Sequence, residues 1–149
     1  MERDGPIAQL GDILAVSTLT LATVGSNGEP HAAPVYFAAN VELDFYFFSD
    51  ANSQHIRDIT HNPRAAATLY PACFDWKDIR GLQMRGLVRV VNSAAEWESA
   101  WNLYQSKFPF VSALREIVAR NQLYCFSPTW IRLLDNSRGL GFKQEWHLK

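Results

Sequence analysis

Leu43-Asp44-Phe45-Tyr46-Phe47-Phe48-Ser49-Asp50-Ala51-Asn52-Ser53-Gln54-His55-Ile56-Arg57-Asp58-Ile59-Thr60-His61-Asn62-Pro63-Arg64 is the stretch around which the chain is organised. Its first part carries aromatic and aliphatic residues at successive positions, as a strand buried on both faces does. Its second part switches to helical spacing after a small polar turn. Ile56 and Ile59 form a short apolar stripe, Asn52 and Ser53 are N-cap residue types, and Asn62-Pro63 ends the helix because the proline ring disfavours helical geometry at the preceding residue. A strand running straight into a helix leaves first-turn N–H groups and the positive end of the helix dipole at the junction. With the Ser53 hydroxyl and the His55 ring beside them, these groups can hold a phosphate. The alternative reading is structural: Ser53 caps the helix, and His55, Arg57 and His61 form its solvated face.

Outward from this stretch, short strands dominate. Pro6 followed by Ile7, Leu10, Ile13 and Leu14 predicts a short amphipathic helix, and Leu19 to Val24 a strand rich in Thr and aliphatic side chains. Gly25-Ser26-Asn27-Gly28 supplies the backbone freedom of a hairpin turn into a return strand from His31 to Ala39, and Asn40-Val41-Glu42 makes the next turn. Pro34 cannot donate to a ladder, so the sheet is expected to open there. An edge strand guarded by proline explains the same residue. Arg64 to Tyr70 and the alternating Ile79 to Val91 read as further strands, and Gly86 inside the second predicts a bend or bulge. Ser93-Ala94-Ala95-Glu96 is a capping-box sequence, with Glu96 expected to reach back to the N-cap amide. Trp97, Ala100, Trp101, Tyr104 and Phe108 then mark the buried face of a helix that Pro109 breaks. A second helix is expected from Val111 to Arg120, then strands from Leu123 to Phe126, Trp130 to Leu134 and Phe142 to Leu148, with Gly139 and Gly141 turning the chain.

Phe47-Phe48-Ser49-Asp50, Ser53 to Ile59 and Asn62-Pro63-Arg64-Ala65-Ala66 together resemble the central signature of the pyridoxamine 5′-phosphate oxidase-like family. The resemblance extends over Pro30 to Phe37 and Ile79 to Gly86, and Asp135-Asn136, Leu140 to Lys143 and Trp146 are similar to a small bacterial branch of that family. It implies a mainly β (α+β) fold: a six- to seven-stranded antiparallel split β-barrel with peripheral helices, homodimeric, spanning residues 1–149 as one domain. It also implies FMN. Ala33, Pro34, Val35 and Tyr36 would run along the isoalloxazine, Phe48 and Ser49 would lie beneath the ring and ribityl chain, and Ser53, Gln54 and His55 would meet the phosphate. Arg80 and Gln83 would approach from the second subunit, because the family builds its flavin site between two chains. The function implied is an FMN-dependent oxidoreductase, similar to NAD(P)H-linked flavin reductases, acting on a small molecule. The alternatives are a non-catalytic dimer holding flavin, haem or deazaflavin for storage or sensing, and a cofactor-free interaction protein.

Two positions depart from the family pattern. Many members carry a lysine two places after the serine, where this chain has His55; FMN affinity is then expected to fall as pH rises through the histidine range. The arginine-rich C-terminal motif that holds a vitamin B6 phosphate has no counterpart near Arg132, Arg138 or Lys143, so vitamin B6 oxidation is not carried over.

Composition bounds the rest. The 149 residues are 48% hydrophobic, 13% aromatic and only 19% charged, which points to surface hidden against a partner and hence to a homodimer. A net charge of −1 supplies no basic field for nucleic acid or anionic membranes. Cys73 and Cys125 lack ligand spacing and are expected to be buried, reduced thiols. His31, His55, His61 and His147 have no metal-ligand spacing, and no nucleophile elbow, phosphate loop or dinucleotide fingerprint occurs, so chemistry is left to a cofactor and no side chain is singled out as catalytic. Met1 to Pro6 is polar and no cleavable apolar segment follows, so the expected location is cytoplasmic.

Overall fold

The computed structural model describes residues 10–148. The predicted start of the first helix at Pro6 and Ile7 lies outside them. Eight strands form one antiparallel sheet: β1 (Thr18–Val24), β2 (Pro30–Tyr36), β3 (Ala38–Ala39), β4 (Phe45–Ser49), β5 (Arg64–Leu69), β6 (Arg80–Val90), β7 (Gln122–Asp135) and β8 (Lys143–His147). The helices are α1 (described over residues 10–14), α2 (Gln54–His61), α3 (Ala94–Lys107) and α4 (Arg115–Val118). The strand order is β2-β1-β5-β6-β7-β4-β3, with β8 beside β7. The two ends of this path are consecutive in the chain. The sheet therefore curls until residues 30–39 touch both of its edges, pairing Thr18–Val24 on one side and Phe45–Tyr46 on the other. The result is the curled half-barrel that the resemblance implies.

The opening lies slightly later than expected. Pro34 sits in register opposite Thr20, on a strand paired on one side only, where its missing N–H breaks no ladder. The strand breaks instead at Phe37, whose amide donates to the Ser17 carbonyl while its ring enters the core. That break divides the expected His31–Ala39 strand into β2 and β3. Beyond it β3 pairs with β4.

The core follows from strand alternation. Phe45 and Phe47 point into the barrel with Leu21, Leu82, Met84 and Phe126, while Tyr46 and Phe48 point outward into the aromatic face of α3, so β4 is buried on both faces. Leu10 and Ile13 of α1 are fully buried in the same barrel core. At Gly86 the register of β6 against β7 shifts between Arg85 and Gly86, forming the expected bulge. A Cβ there would collide with the Ser127 carbonyl oxygen and lie 2.6 Å from the Pro128 Cα, so only glycine fits. This bulge absorbs Pro128 and Thr129, which is why the two strands expected after residue 122 form one continuous β7.

Three further expectations change. The Ser93 oxygen accepts from the Glu96 amide at 3.3 Å, but the Glu96 carboxylate does not return to the N-cap. It takes two bonds from Arg89 (2.8 and 2.6 Å) and one from the Tyr46 hydroxyl (2.8 Å), which are charge-assisted partners. The helix expected over Val111–Arg120 is a 3-10 segment (Pro109–Leu114) followed by the single turn α4, because only Val111 of its apolar residues is buried. Cys125 is buried as expected, but Cys73 is exposed, on a connection that leaves the sheet; both are free.

Candidate functional site

The candidate site is the strand-to-helix junction where β4 runs into α2. Backbone geometry makes Ser53 the N-cap of α2, with φ −67° and ψ 154°, and Asn62 ends the helix in extended geometry before Pro63. The Ser53 hydroxyl does not cap the helix. It donates to the Asp50 carbonyl at 2.7 Å, and α2 has no side-chain cap hydrogen bond, so its first-turn amides remain available to an acceptor. Ser49, 9% exposed, places its hydroxyl 2.6 Å from His55 Nε2 and 3.5 Å from the Ser53 hydroxyl. Ser49, Ser53 and His55 thus converge on the uncapped turn.

Burial pushes the pKa of His55 below the ordinary histidine value, and the charge of Asp58 one turn on only partly restores it. The ring is therefore neutral at neutral pH. Such a ring carries a single proton, and its Nε2 shares a hydrogen bond with the Ser49 hydroxyl. The junction offers an anion amides and hydroxyls, without the fixed cation that a lysine would supply.

The other predicted residues fall into separate groups. Ala33 and Val35 point inward from β2, whereas Pro34 and Tyr36 are exposed on its outer side. Tyr36 meets Phe108 edge to face (5.6 Å), Phe108 packs on Tyr104 (5.0 Å) and Tyr104 on Phe48 (5.2 Å), so a chain of rings from α3 links β2 to β4. Phe48 shares this wall; Ser49, one residue on, faces the opposite side of β4. Gln54 turns away from His55 and donates to Asp58 Oδ1 at 2.8 Å.

Arg80 is held between Asp12 and Asp135, with Nε 3.4 Å from Asp135 Oδ2, and that Nε is buried without a hydrogen bond among the described residues. Gln83 accepts from Arg132 at 3.4 Å. Ser49 pairs with the first residue of β7 and Arg80 with its last. They lie roughly 40 Å apart along that strand, at about 3.3 Å per residue. Within one chain, Arg80 does not belong to the junction.

Two outward-facing rows missed by sequence reasoning run across the sheet: Pro34-Thr20-Thr68-Gln83-Arg132-Glu145 and Ala32-Ala22-Ala66-Arg85-Trp130-His147. Their β2, β1 and β5 members are small, making a flat face, and their β6 and β7 members are polar or aromatic. Each strand shows the alternation that places them outward, but only the pairing register lines them up. Among the described residues no group of three or more His, Cys, Asp or Glu is arranged to hold a metal. No helix among them is long and apolar enough to cross a membrane.

A curled antiparallel sheet whose two edges are joined through residues 30–39 defines a split-barrel protein. Residues 11–135 match the family model described as pyridoxamine 5′-phosphate oxidase, and the chain belongs to that family. It is 41% identical over 54 residues to a pyridoxine/pyridoxamine 5′-phosphate oxidase of Burkholderia mallei; the match covers 36% of this chain and a quarter of that enzyme. A conserved hypothetical protein of Mycobacterium tuberculosis shares the fold with a TM-score of 0.75 at 17% identity, over 88% of this chain and 85% of that one. So does a haem-binding protein of Mycobacterium smegmatis, with a TM-score of 0.75 at 18% identity over 94% and 57% of the two chains. A haem storage protein of Vibrio cholerae has a TM-score of 0.60 at 18% identity, over 86% and 91%.

Proposed function

We propose that the protein is a cytoplasmic, homodimeric FMN-binding flavoprotein that passes reducing equivalents from NAD(P)H to a small substrate. The observation that carries this reading is the uncapped first turn of α2, ringed by Ser49, Ser53 and His55. Backbone amides at a helix N-terminus favour a phosphate, and the exposed outer side of Pro34 and Tyr36 suits a flat ring. Bound FMN supplies the hydride and electron transfer. The chain binds and orients it: the amides of Gln54, His55 and Ile56 hold the phosphate, and Ser49 and Ser53 add hydroxyl contacts.

The dimer is part of the proposal. Arg80 and Gln83 reach a flavin only from a second chain, and the flat outer rows offer a surface for one. Tyr70, Phe74, Trp76 and Ile79 are all exposed on the β5–β6 connection, an unusual density of apolar groups to leave in water.

A visible spectrum of the purified protein, before and after adding FMN, tests the reading together with sedimentation at micromolar concentration. A bound flavin band that bleaches with NAD(P)H, in a dimer, is expected. A colourless monomer that takes up no FMN refutes it.

The neutral His55 favours a second reading: with no fixed cation at the phosphate position, the site also suits haem, which the M. smegmatis and V. cholerae proteins are named for. A Soret band in place of the flavin band distinguishes the two.

A further inference from the structure

A cavity of about 340 Å³ opens on another face of α2 from the Ser49–His55 pair, between that helix and the β1–β2 turn. At its base lies Asp58, 2% exposed, whose two oxygens are both engaged. Oδ2 accepts from the Thr23 hydroxyl and from His31 Nδ1, each at 2.7 Å, and Oδ1 accepts from Gln54 at 2.8 Å. Burial alone would raise the carboxyl pKa, but these hydrogen bonds outweigh it and hold Asp58 below the usual carboxylate range. An ionised carboxylate only accepts, so the proton at the His31–Asp58 contact sits on Nδ1. Nε2 is left as the ring's one uncommitted nitrogen. Thr23 and His31 are cross-strand partners, so the hairpin register itself delivers both groups to Asp58.

We propose that this cavity binds the phosphate monoester of a small polar metabolite. Its ionisable lining apart from Asp58 is basic: His31, Arg57 and His61. Only one Arg57 nitrogen is occupied, by Gln54 Oε1 at 2.8 Å. The one acidic group of the lining is sunk at the base and saturated, and Glu29 of the turn does not line the cavity. Ser26 and Asn27 complete the wall with groups that suit hydroxyls, and Asn27 Oδ1, bound to the Glu29 amide, leaves its NH2 free. No Phe, Tyr, Trp or aliphatic side chain lines the space. The volume exceeds that of a bare phosphate and falls in the range of small-ligand sites. A latch between hairpin and helix accounts for Thr23, His31, Asp58 and Gln54, with Arg57 steadying Gln54, but gives His61 and the remaining Arg57 nitrogens no role.

Calorimetric titration of the full chain with glucose 6-phosphate, glucose and inorganic phosphate tests the assignment. Glucose 6-phosphate is expected to bind more tightly than inorganic phosphate, and glucose not at all. Arg57→Ala and His61→Ala, both at exposed positions, are each expected to weaken glucose 6-phosphate by about tenfold, the scale of a lost charge-assisted contact. No binding at millimolar glucose 6-phosphate overturns the proposal, as does binding that survives both substitutions. Binding lost on Ser53→Ala while Arg57→Ala leaves it intact also overturns it, by assigning the phosphate to the α2 N-terminus instead. Saturating FMN beforehand separates the two sites: uptake of glucose 6-phosphate is expected to be unchanged, and competition between them overturns this assignment.

Discussion

His55→Lys should convert the α2 junction from a weak phosphate site into a strong one. In the wild type the ring is held neutral by burial and its Nε2 is hydrogen-bonded to the Ser49 hydroxyl at 2.6 Å, so it brings no charge to a ligand. A lysine brings a fixed charge, and a hydrogen bond to a charged group contributes about 1.5–3 kcal/mol net. That corresponds to roughly ten- to a hundredfold tighter FMN binding at pH 8. Riboflavin lacks the phosphate and should gain nothing. Lowering the pH charges His55 only below the ordinary histidine range, because its pKa is depressed. The advantage of the lysine should therefore shrink on acidification and persist above neutrality. The FMN phosphate itself titrates near pH 6, but it does so identically for both proteins, so the ratio of affinities cancels it. Flavin fluorescence titration of both proteins with FMN and riboflavin, from pH 5 to pH 8, measures the ratio. A ratio that stays flat with pH, or an equal gain for riboflavin, would refute the placement of the phosphate at this junction.

Gly86→Ala should destabilise the fold by about 3 kcal/mol or more, because the new methyl meets the Ser127 and Pro128 backbone, which cannot swing aside; urea unfolding measures it. Glu96→Gln should cost about 1–2 kcal/mol by loosening the paired bonds from Arg89 and weakening the acceptor for Tyr46, and a double-mutant cycle with Arg89→Ala should show strong coupling. Asp58→Asn should cost about 1–3 kcal/mol near neutrality. Because the folded pKa of Asp58 lies below its unfolded value, its stabilisation is complete above the unfolded carboxylate value and is lost as pH falls through the folded one. The gap between wild type and variant should thus narrow in acid below pH 4, as chemical unfolding at several pH values would reveal.

Much of this architecture was legible along the chain. The two-faced burial of β4, the end of α2 at Asn62-Pro63 and the Gly86 bulge follow from local rules acting on a few neighbouring residues. What was misread depends on partners distant in sequence. Pro128 looks like a strand break until the bulge opposite it supplies room. Residues 109–118 have helical spacing but almost no apolar surface to pack against, so propensity alone leaves a 3-10 segment and one turn. At the site, Ser53 and His55 could be named from the junction itself. Their contact with Ser49 needed the turn geometry, and the His31–Asp58 pair, 27 residues apart, needed the hairpin register.

One carboxylate sets the conditions on both sides of α2. Asp58 lies beneath the cavity, orienting His31, and its charge raises the His55 pKa against the effect of burial. Gln54, at the first turn, ties the same carboxylate to the uncapped end of the helix. The eight-residue helix is too short to be stable alone, so its position depends on Ile56 and Ile59 in the core and on this buried group against the hairpin. A change at Asp58 must be felt as a shift in His55 ionisation as well as a loss of the hairpin attachment.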